Sequence, residues 1–470
     1  MTLIKSISGI RGTIGGVPGQ GLTPVDAVKF ASAFGAWLQS RKGKKVVIGR
    51  DARISGEMIS SLVCATMQGL GIDVIDLGLS TTPTVEIAVV REKAAGGIIL
   101  TASHNPIQWN ALKLLNEKGE FISAADGAAV LRLAEGEQFN FAEVLRLGHY
   151  EKNEKYIDIH IALIKKHPLV DVKAITKADF KIAVDAVNSV GGIAIPKLLK
   201  ALGVKKIKKL YCEPTGHFPH NPEPLPEHLK AICNLVKKEK CDLGIVVDPD
   251  VDRLALVQED GKPFGEEYTL VAVADYVLKN KKGNSVSNLS STRALRDITE
   301  KAKGKYAASA VGEVNVVNLM KSTKAVIGGE GNGGIIVPDF HYGRDAMIGI
   351  ALFLSHLAKS KHSASALRKS YPAYFISKNK IELTPEVNVD KVLSAMKDKY
   401  NSENINVTDG VKIDFEKEKE WVHLRKSNTE PIIRIYAESQ NEEKADFLAQ
   451  KIIKDIQNII NSPAGKEVRP

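Results

Sequence analysis

The sequence predicts an α/β protein with several domains, and three features lead to this expectation. The chain has 470 residues, more than one hydrophobic core usually organises, so about three or four domains are expected. Strand-like and helix-like segments alternate along most of the chain, as they do in βαβ units. The last part, residues 376–470, has a different pattern, which predicts an α+β module.

The alternation is clearest near the amino terminus. It predicts four consecutive elements there: an amphipathic helix over residues 25–40, a buried strand over 45–49, a helix over 56–70 and a strand over 73–77. The same pattern begins again near Lys181, Ser285 and Ala325. This repetition indicates successive doubly wound α/β units.

The carboxyl-terminal segment reads as strands followed by a helix. The strand-like runs IELTPEVNV, VKIDF, WVHLR and IIRIYAES precede a helix predicted from about residue 442 to 460. Polar stretches near residues 153, 258 and 374 separate the patterned segments. The predicted domains therefore comprise residues 1–153, 154–257, 258–374 and 375–470.

Composition narrows the functional classes only slightly. The formal net charge of +10 fits a solvated Lys-rich surface, and it also fits a field that attracts sugar phosphates or nucleic acid. The amino-terminal run MTLIKSISGIRGTIGG lacks the sustained apolar core of a signal peptide. No stretch approaches the ~20 apolar residues of a transmembrane helix. We therefore expect a cytoplasmic protein with no membrane partner.

A serine-containing loop, TASHNP at 101–106, follows the strand-like run GGIIL. Ligands bind at the carboxyl edge of open α/β sheets, so Ser103 is a candidate nucleophile. A turn with a capping hydroxyl is the alternative interpretation of a Ser-His pair alone. No G-x-S-x-G elbow surrounds Ser103, which argues against a hydrolase triad.

An acidic loop follows the apolar run LGIVV and contains Asp248, Asp250 and Asp252. Three carboxylates at alternate positions can supply the oxygen ligands that Mg²⁺ or Ca²⁺ prefers. An EF-hand is excluded because Arg253 replaces its essential glycine and Pro249 stands second in the loop. The pattern therefore predicts a different kind of divalent cation site.

A glycine-rich loop, GGEGNGG at 328–334, matches G-x-G-x-x-G literally. The run IIVPDF that follows does not read as a helix, so a dinucleotide-binding fingerprint is excluded. Glu330 and Asn332, set among glycines, suit contact with sugar hydroxyls.

A fourth loop, RKSNTEP at 425–431, has Arg434 just beyond it. A phosphate dianion accepts hydrogen bonds from donors of this kind: hydroxyls, an amide and guanidinium groups. An ordinary turn between two strands is the alternative interpretation of this loop alone.

Together, the order and contexts of the four loops resemble the α-D-phosphohexomutase superfamily, which includes phosphoglucomutases, phosphomannomutases and phosphoglucosamine mutases. The resemblance spans nearly the whole chain and includes SGIRGTIGG at 8–16, GRDARISG at 49–56 and GEEYTL at 265–270. It implies three similar doubly wound α/β domains plus a C-terminal α+β domain around a central cleft.

The resemblance also implies a reaction. Hexose 6-phosphate and hexose 1-phosphate would be interconverted through a phosphoserine and a bisphosphorylated sugar. The expected partners are a phosphosugar substrate and a hexose 1,6-bisphosphate activator, with no nucleic acid, and the protein is expected to be a monomer or homodimer. The expected cofactor is Mg²⁺.

Roles carry over residue by residue on the matching positions. The phosphorylated residue is expected to be Ser103, and the Mg²⁺ ligands, beside the phosphoserine, are expected to be Asp248, Asp250 and Asp252. The residues expected near the reacting phosphate are Arg11, His104, Arg253 and Lys113, the last a candidate general base. The sugar-binding residues are expected to be Glu330 and Asn332. The phosphate-binding residues are expected to be Arg425, Ser427, Asn428, Thr429 and Arg434.

The sugar loop departs from a common family pattern, in which Ser-Gly-His follows the glutamate after one residue. Here Asn332 replaces the serine and Gly334 stands where the histidine would be. This form resembles phosphoglucosamine mutases, so glucosamine 6-phosphate is the expected substrate, with phosphomannomutase or phosphoglucomutase activity as the alternative.

Two other functional classes remain at this point. A haloacid-dehalogenase-like sugar phosphatase would use Asp248 as nucleophile and would leave Ser103 without a role. A non-catalytic phosphosugar or nucleic-acid binding protein would use only the basic charge, and it would not need three clustered aspartates. No aromatic-rich basic patch suggests base stacking.

Overall fold

The chain folds into two structural units in a computed structural model that describes residues 1–6, 9–384, 387–426 and 432–461. The first unit contains Met1–Asn280 and Asn332–Arg368, and the second contains Lys281–Gly331 and Lys369–Pro470. Each unit therefore draws on two separate stretches of sequence.

A seven-stranded mixed sheet forms the amino-terminal part of the first unit. Its strands are β1 (Leu3–Ser6), β2 (Gly9–Thr13), β3 (Lys45–Arg50), β4 (Asp73–Leu79), β5 (Gly96–Leu100), β6 (Trp109–Leu115) and β7 (Tyr150–Lys152). Its helices are α1 (Pro24–Ser40), α2 (Gly56–Gly69), α3 (Thr82–Arg91) and α4 (Ala124–Glu135). The strand order is β1-β2-β6-β5-β3-β4-β7, and β3 pairs in parallel with both β4 and β5.

Local sequence explains these elements. All five residues of β5 are buried, as expected for a central strand that pairs with β3 on one side and β6 on the other and is covered on both faces. Helix α1 begins with a capping box, in which Thr23 and Asp26 each accept a hydrogen bond from the other's backbone N–H. The helix predicted over residues 25–40 is confirmed.

A four-stranded sheet follows, with the order β11-β10-β8-β9. Its strands are β8 (Lys181–Asp185), β9 (Lys206–Leu210), β10 (Leu243–Val247) and β11 (Leu254–Gln258). The helices of this segment are α5 (Tyr156–Lys166), α6 (Val172–Ala178), α7 (Gly191–Ala201) and α8 (Lys230–Glu239). Strands β8, β9 and β10 are parallel, while β11 runs antiparallel to β10.

The next segment contains three parallel strands, in which β12 (Asn284–Asn288) pairs with β13 (Tyr306–Ser309) and with β14 (Ala325–Glu330). A short strand, β15 (Gly334–Ile336), belongs to the first unit. The helices are α9 (Glu266–Asn280), α10 (Arg293–Lys301), α11 (Glu313–Thr323), α12 (Ala346–Ser360) and α13 (Ala364–Lys369).

The carboxyl-terminal segment is an antiparallel sheet with the order β16-β20-β19-β18-β17. Its elements are β16 (Phe375–Glu382), α14 (Val389–Lys399), β17 (Asn404–Asn406), β18 (Val411–Phe415), β19 (Glu420–Lys426), β20 (Ile432–Ser439) and α15 (Glu442–Asn461). Residues of α14 and α15 share one apolar core with β18, β19 and β20. The predicted α+β module is confirmed.

Within the described residues, none of the helices has the length and apolar character that a bilayer-spanning segment requires.

One buried histidine in the second unit makes stability depend on pH. The side chain of His423 is buried, with Nδ1 2.8 Å from Oγ of Ser290 and Nε2 2.6 Å from the carbonyl oxygen of Asp409. This arrangement suits a neutral ring that donates from Nε2 and accepts at Nδ1. Burial lowers the pKa of His423 to about 4.

We expect acidification to destabilise the second unit through His423. Because the folded pKa lies below the unfolded value of about 6.5, the unfolded state takes up a proton first as the pH falls. The stabilising contribution is complete above pH 6.5, and roughly 2 kcal/mol of it is lost by pH 5. Thermal unfolding at pH 7.5 and pH 5 measures this loss, which should be smaller in His423→Gln. Equal falls in Tm for both proteins would contradict the assignment.

Candidate active site

Ser103 lies in the loop that leaves the carboxyl end of β5. Its φ of +49° is in the left-handed region, which residues other than glycine seldom adopt. The backbone N–H of Ser103 donates to Oγ1 of Thr101 at 2.9 Å. The side chain is buried, and its hydroxyl donates to Oδ2 of Asp248 at 2.7 Å. The serine loop and the acidic loop therefore meet at one point.

Arg53 holds the backbone of the serine loop. Its buried guanidinium donates to the carbonyl oxygens of Ser103, Asn105, Pro106 and Trp109. Asp51 fixes the guanidinium in turn, with 3.1 Å between Nε of Arg53 and Oδ2 of Asp51. The motif GRDARISG contributed to the resemblance, but this positioning role of Arg53 was not predicted from it.

The three aspartates form a buried cluster after β10. Asp248, Asp250 and Asp252 are all fully buried, and one carboxylate oxygen of each lies within 4.8 Å of the others. The backbone N–H groups of Asp252 and Arg253 donate to Oδ1 of Asp248 at 3.2 and 3.1 Å. Val251, between the last two aspartates, has a φ of +64°, in the left-handed region that β-branched residues rarely adopt.

This cluster has the properties of a divalent cation site. Burial and the neighbouring Asp252 and Asp250 carboxylates raise the pKa of Asp248 well above its usual value. Oδ1 of Asp250 and Oδ1 of Asp252 are buried and have no hydrogen-bond partner in the described part of the chain. Unpartnered, hard oxygen atoms at this spacing fit the ligand set of Mg²⁺.

Lys113 on β6 lies against the cluster. Its Nζ is 2.7 Å from Oδ2 of Asp250 and 3.6 Å from Oδ2 of Asp252. Although burial opposes it, the attraction of these two carboxylates raises the pKa of Lys113. The hydroxyl of Thr82, at the start of α3, also donates to Oδ2 of Asp250 at 2.6 Å. The general-base role of Lys113 stays a prediction, because the ammonium form is favoured here.

Arg344 is a second cation at the cluster, and it was not predicted. Its Nη2 lies 2.7 Å from Oδ2 of Asp252. The stem of Arg344 passes over Gly334, where an added Cβ would come within 2.4 Å of Cδ of Arg344. Arg344 therefore uses space that a side chain at position 334 would need. The unusual glycine at position 334 was the one feature of the sequence that could have indicated space for another side chain there.

His104 and Arg253 share a carboxylate. Nη1 of Arg253 is 2.9 Å from Oε1 of Glu223, and Nε2 of His104 is 3.8 Å from the same atom. Burial, followed by the fields of Arg253 and Arg344, lowers the pKa of His104 to about 2. The imidazole is therefore neutral near pH 7 and can donate or accept a hydrogen bond without adding charge.

Two further predicted residues lie in the first unit. Nη1 of Arg11 is 3.5 Å from Oδ1 of Asn105 in the serine loop, so Arg11 borders that loop. Oδ1 of Asn332 accepts a hydrogen bond from the backbone N–H of Gly334 at 3.2 Å. Position 334 forms a bridge with Arg253, which places this end of the sugar loop beside the acidic loop.

Glu330 ends β14 in the second unit. Its Oε1 accepts hydrogen bonds from Nδ2 of Asn288 at 2.9 Å and from the backbone N–H of Gly312 at 3.1 Å. The carboxylate is buried and oriented by these two donors. Such an arrangement fits a carboxylate that is held in place for a ligand hydroxyl.

Two predicted phosphate-binding arginines lie opposite each other in the carboxyl-terminal sheet. Arg425 on β19 pairs in register with Arg434 on β20. Nε of Arg425 is 2.7 Å from Oδ2 of Asp409, which orients its guanidinium. The predicted residues Ser427, Asn428 and Thr429 lie outside the described residues.

Family models match consecutive parts of this chain. They describe the phosphoglucomutase/phosphomannomutase α/β/α domains I, II and III over residues 3–141, 156–261 and 265–374, and the C-terminal domain over residues 380–455.

Individual relatives agree with these models. A phosphoglucomutase/phosphomannomutase of Thermococcus kodakarensis is 38% identical over 92% of this chain and 95% of its own length. A phosphoglucosamine/phosphogalactosamine mutase of Sulfurisphaera tokodaii is 31% identical over 96% of this chain and 98% of its own. A crystal structure from the phosphoglucomutase/phosphomannomutase family of Burkholderia thailandensis has the same fold, with a TM-score of 0.83, 24% identity and 98% of each chain covered. The chain belongs to the phosphoglucomutase/phosphomannomutase family and is an intramolecular phosphotransferase of the α-D-phosphohexomutase superfamily.

Proposed function

We propose that this protein interconverts the 6-phosphate and the 1-phosphate of a hexose through a phosphoserine at Ser103. The observation that carries the proposal is the 2.7 Å hydrogen bond from the hydroxyl of Ser103 to Asp248 within the buried aspartate cluster. A serine at this place can pass a phosphoryl group to a sugar hydroxyl and receive one from the other end of the bisphosphorylated sugar. Both transfers need alignment and neutralised charge more than covalent assistance.

We assign Mg²⁺ to the aspartate cluster. Asp248, Asp250 and Asp252 would hold the ion, together with an oxygen of the phosphorylated Ser103. When bound, the ion supplies charge stabilisation for the transferring phosphoryl group. The unpartnered Oδ1 atoms of Asp250 and Asp252 support this ligand set.

The surrounding side chains are proposed to orient the same phosphoryl group, and the cations among them, Arg11, Arg253 and Lys113, to neutralise its charge. Arg11, His104 and Arg253 border the serine loop or the acidic loop, and Lys113 lies 2.7 Å from Asp250. In the first transfer a hydroxyl oxygen of the sugar bonds to phosphorus and the bond from phosphorus to Oγ of Ser103 breaks. In the second, Oγ of Ser103 bonds to the phosphorus at the other end of the bisphosphorylated sugar and the bond from that phosphorus to the sugar oxygen breaks. The proton of the attacking hydroxyl must reach a base, and Lys113 is the candidate only in its neutral amine form, which its two carboxylate neighbours disfavour.

The other predicted residues are proposed to bind the rest of the substrate. Glu330 would accept hydrogen bonds from sugar hydroxyls. The phosphate that does not react would be bound by Arg425, Ser427, Asn428, Thr429 and Arg434. The pairing of Arg425 with Arg434 across two adjacent strands supports a doubly charged phosphate site.

We propose glucosamine 6-phosphate as the preferred substrate. At position 334 a glycine stands in place of a histidine that could repel the ammonium group at C2 of glucosamine. The side chain of Arg344 occupies the space beside Gly334, and its charge is paired with Asp252. Asn332 has an amide oxygen that already accepts one hydrogen bond from the loop and can accept another. The name of the Sulfurisphaera tokodaii relative supports the same amino-sugar class.

A second candidate is phosphoglucomutase/phosphomannomutase activity. It is favoured by the 38% identical relative from Thermococcus kodakarensis, which carries that name. Both candidates use the same Ser103 chemistry and differ only in the sugar.

We expect Ser103→Ala to lower kcat by at least about a thousandfold, because the covalent relay is lost. The fold should remain intact, since alanine removes only one hydroxyl. A coupled assay of hexose 1-phosphate formation, with circular dichroism as the folding check, measures both effects. Ser32→Ala is the matched control, because Ser32 is a fully buried serine of α1. An alanine variant at 103 that keeps wild-type turnover would exclude the phosphoserine mechanism.

The substrate proposal is tested by direct competition. With glucosamine, glucose and mannose 6-phosphates at equal concentration, kcat/KM should be highest for glucosamine 6-phosphate, by roughly ten- to thirty-fold. One added acceptor or one removed repulsive donor accounts for a preference of this size. A higher kcat/KM for glucose or mannose 6-phosphate would replace the glucosamine assignment with the second candidate.

A further inference from the structure

The second unit contains a cavity of about 350 Å³ that none of the proposed substrate-binding residues lines within the described part of the chain. It lies between the end of β12 with α10 and the strands β17, β18 and β19. Its wall includes Leu289, Ser291, Arg293, Arg296, Lys412 and Trp421. Small-molecule pockets usually measure about 300–1,000 Å³, so this cavity has room for a small metabolite.

Arg293 brings unused hydrogen-bond donors to the cavity. Its side chain is only 9% exposed, and Nη2 lies 2.8 Å from Oε2 of Glu416. Nε lies 3.6 Å from Oδ1 of Asp297, whereas Nη1 is buried and makes no hydrogen bond to any of the described residues. Leaving such a donor unsatisfied costs about 1–3 kcal/mol, so a polar occupant is expected.

Lys412 brings a second cation. The residue is 6% exposed, and its Nζ donates to the carbonyl oxygen of Leu289 at 2.9 Å and lies 4.2 Å from the ring centroid of Trp421. Burial lowers the pKa of Lys412, although the carboxylates of Asp414 and Glu438 oppose this shift.

The other charged groups of the cavity wall are less able to bind an anion. Arg296 already pairs with Glu300 at 3.0 Å and with Glu416 at 2.7 Å. Burial raises the pKa of Asp414, which favours its neutral form. The hydrogen-bond donors that remain are therefore Nη1 of Arg293 and the ammonium group of Lys412.

We propose that this cavity binds a small phosphate-bearing metabolite, with its phosphate on Arg293 and Lys412. A phosphate dianion can accept several hydrogen bonds at once from a guanidinium and an ammonium group. Leu289 and the indole of Trp421 provide apolar surface for a carbon skeleton. Free phosphate and a phosphate ester share this chemistry.

The cavity is connected to the proposed sugar-binding residue. Oγ of Ser291 accepts from the backbone N–H of Gly331 and donates to Oδ1 of Asn288, each at 3.0 Å. Asn288 in turn donates to Glu330 at 2.9 Å. An occupant beside Ser291 would stabilise this arrangement and lower KM for the hexose phosphate. This effect on KM rests on the proposed function, whereas binding itself does not.

Anomalous diffraction from crystals soaked in tungstate, a heavy analogue of phosphate, tests the site directly. We expect a peak within hydrogen-bond distance of Arg293 and Lys412, in addition to any peak near Arg425. Competing soaks with inorganic phosphate and with a hexose 6-phosphate should displace it, and the more effective competitor identifies the source of the phosphate. A cavity that holds only water, or displacement by neither competitor, would overturn the proposal.

Matched variants make the test independent of catalysis. Lys412→Met should abolish the tungstate peak. In calorimetry on an Arg425→Ala background, the same change should weaken phosphate binding by tenfold or more. The control is Lys417→Met, at an exposed lysine of the same segment, which should change neither the peak nor the binding. Arg293→Gln is the second variant if Lys412→Met does not fold. Unchanged phosphate binding in the folded variants would contradict the assignment. Ser103→Ala should leave the peak in place, so a failure of the catalytic proposal is distinguishable from a failure of this one.

Discussion

The mutual repulsion of three buried carboxylates is the constraint on which the proposed site depends. Charges of the same sign 4 Å apart repel by about 4 kcal/mol at the effective dielectric constant typical of proteins. Asp248, Asp250 and Asp252 are closely packed and fully buried, so nearby positive charge is required. Lys113 and Arg344 supply part of it, and the unpartnered Oδ1 atoms leave a place for a cation. Without a cation, the repulsion between the carboxylates would destabilise the protein. With a cation bound, the same carboxylates hold positive charge where phosphoryl transfer requires it.

The fold of the first unit brings this cluster to the candidate nucleophile. Strands β5 and β10 belong to different sheets, and the loop at the carboxyl end of each contributes one side of the contact between Ser103 and Asp248. The left-handed backbone at Ser103 and the hydrogen bonds from buried Arg53 to the loop carbonyls hold the hydroxyl in that direction. Ligands bind at the carboxyl ends of the strands in open α/β sheets, and here the carboxyl ends of strands from two sheets contribute to one candidate site.

Much of this could be predicted from sequence, because local periodicity determines strands and helices and because Asp248, Asp250 and Asp252 lie close together in the chain. Their meeting with Ser103 depended on the family resemblance, since 145 positions separate Ser103 from Asp248. Arg53 and Arg344 were missed because each acts through contacts with residues distant in sequence, which no local pattern encodes. The domain boundaries near residues 153, 258 and 374 and the roles of the individual site residues stay predictions.

We expect one divalent cation to bind at the aspartate cluster beside Ser103. Anomalous diffraction from Mn²⁺-soaked crystals tests it, because manganese replaces magnesium on oxygen ligands and is located directly. A single peak should appear at about 2.0–2.6 Å from carboxylate oxygens of Asp248, Asp250 and Asp252. Crystals in which saturating Mn²⁺ leaves the cluster without a peak would contradict the cation site, because Lys113 and Arg344 alone would then neutralise the three carboxylates.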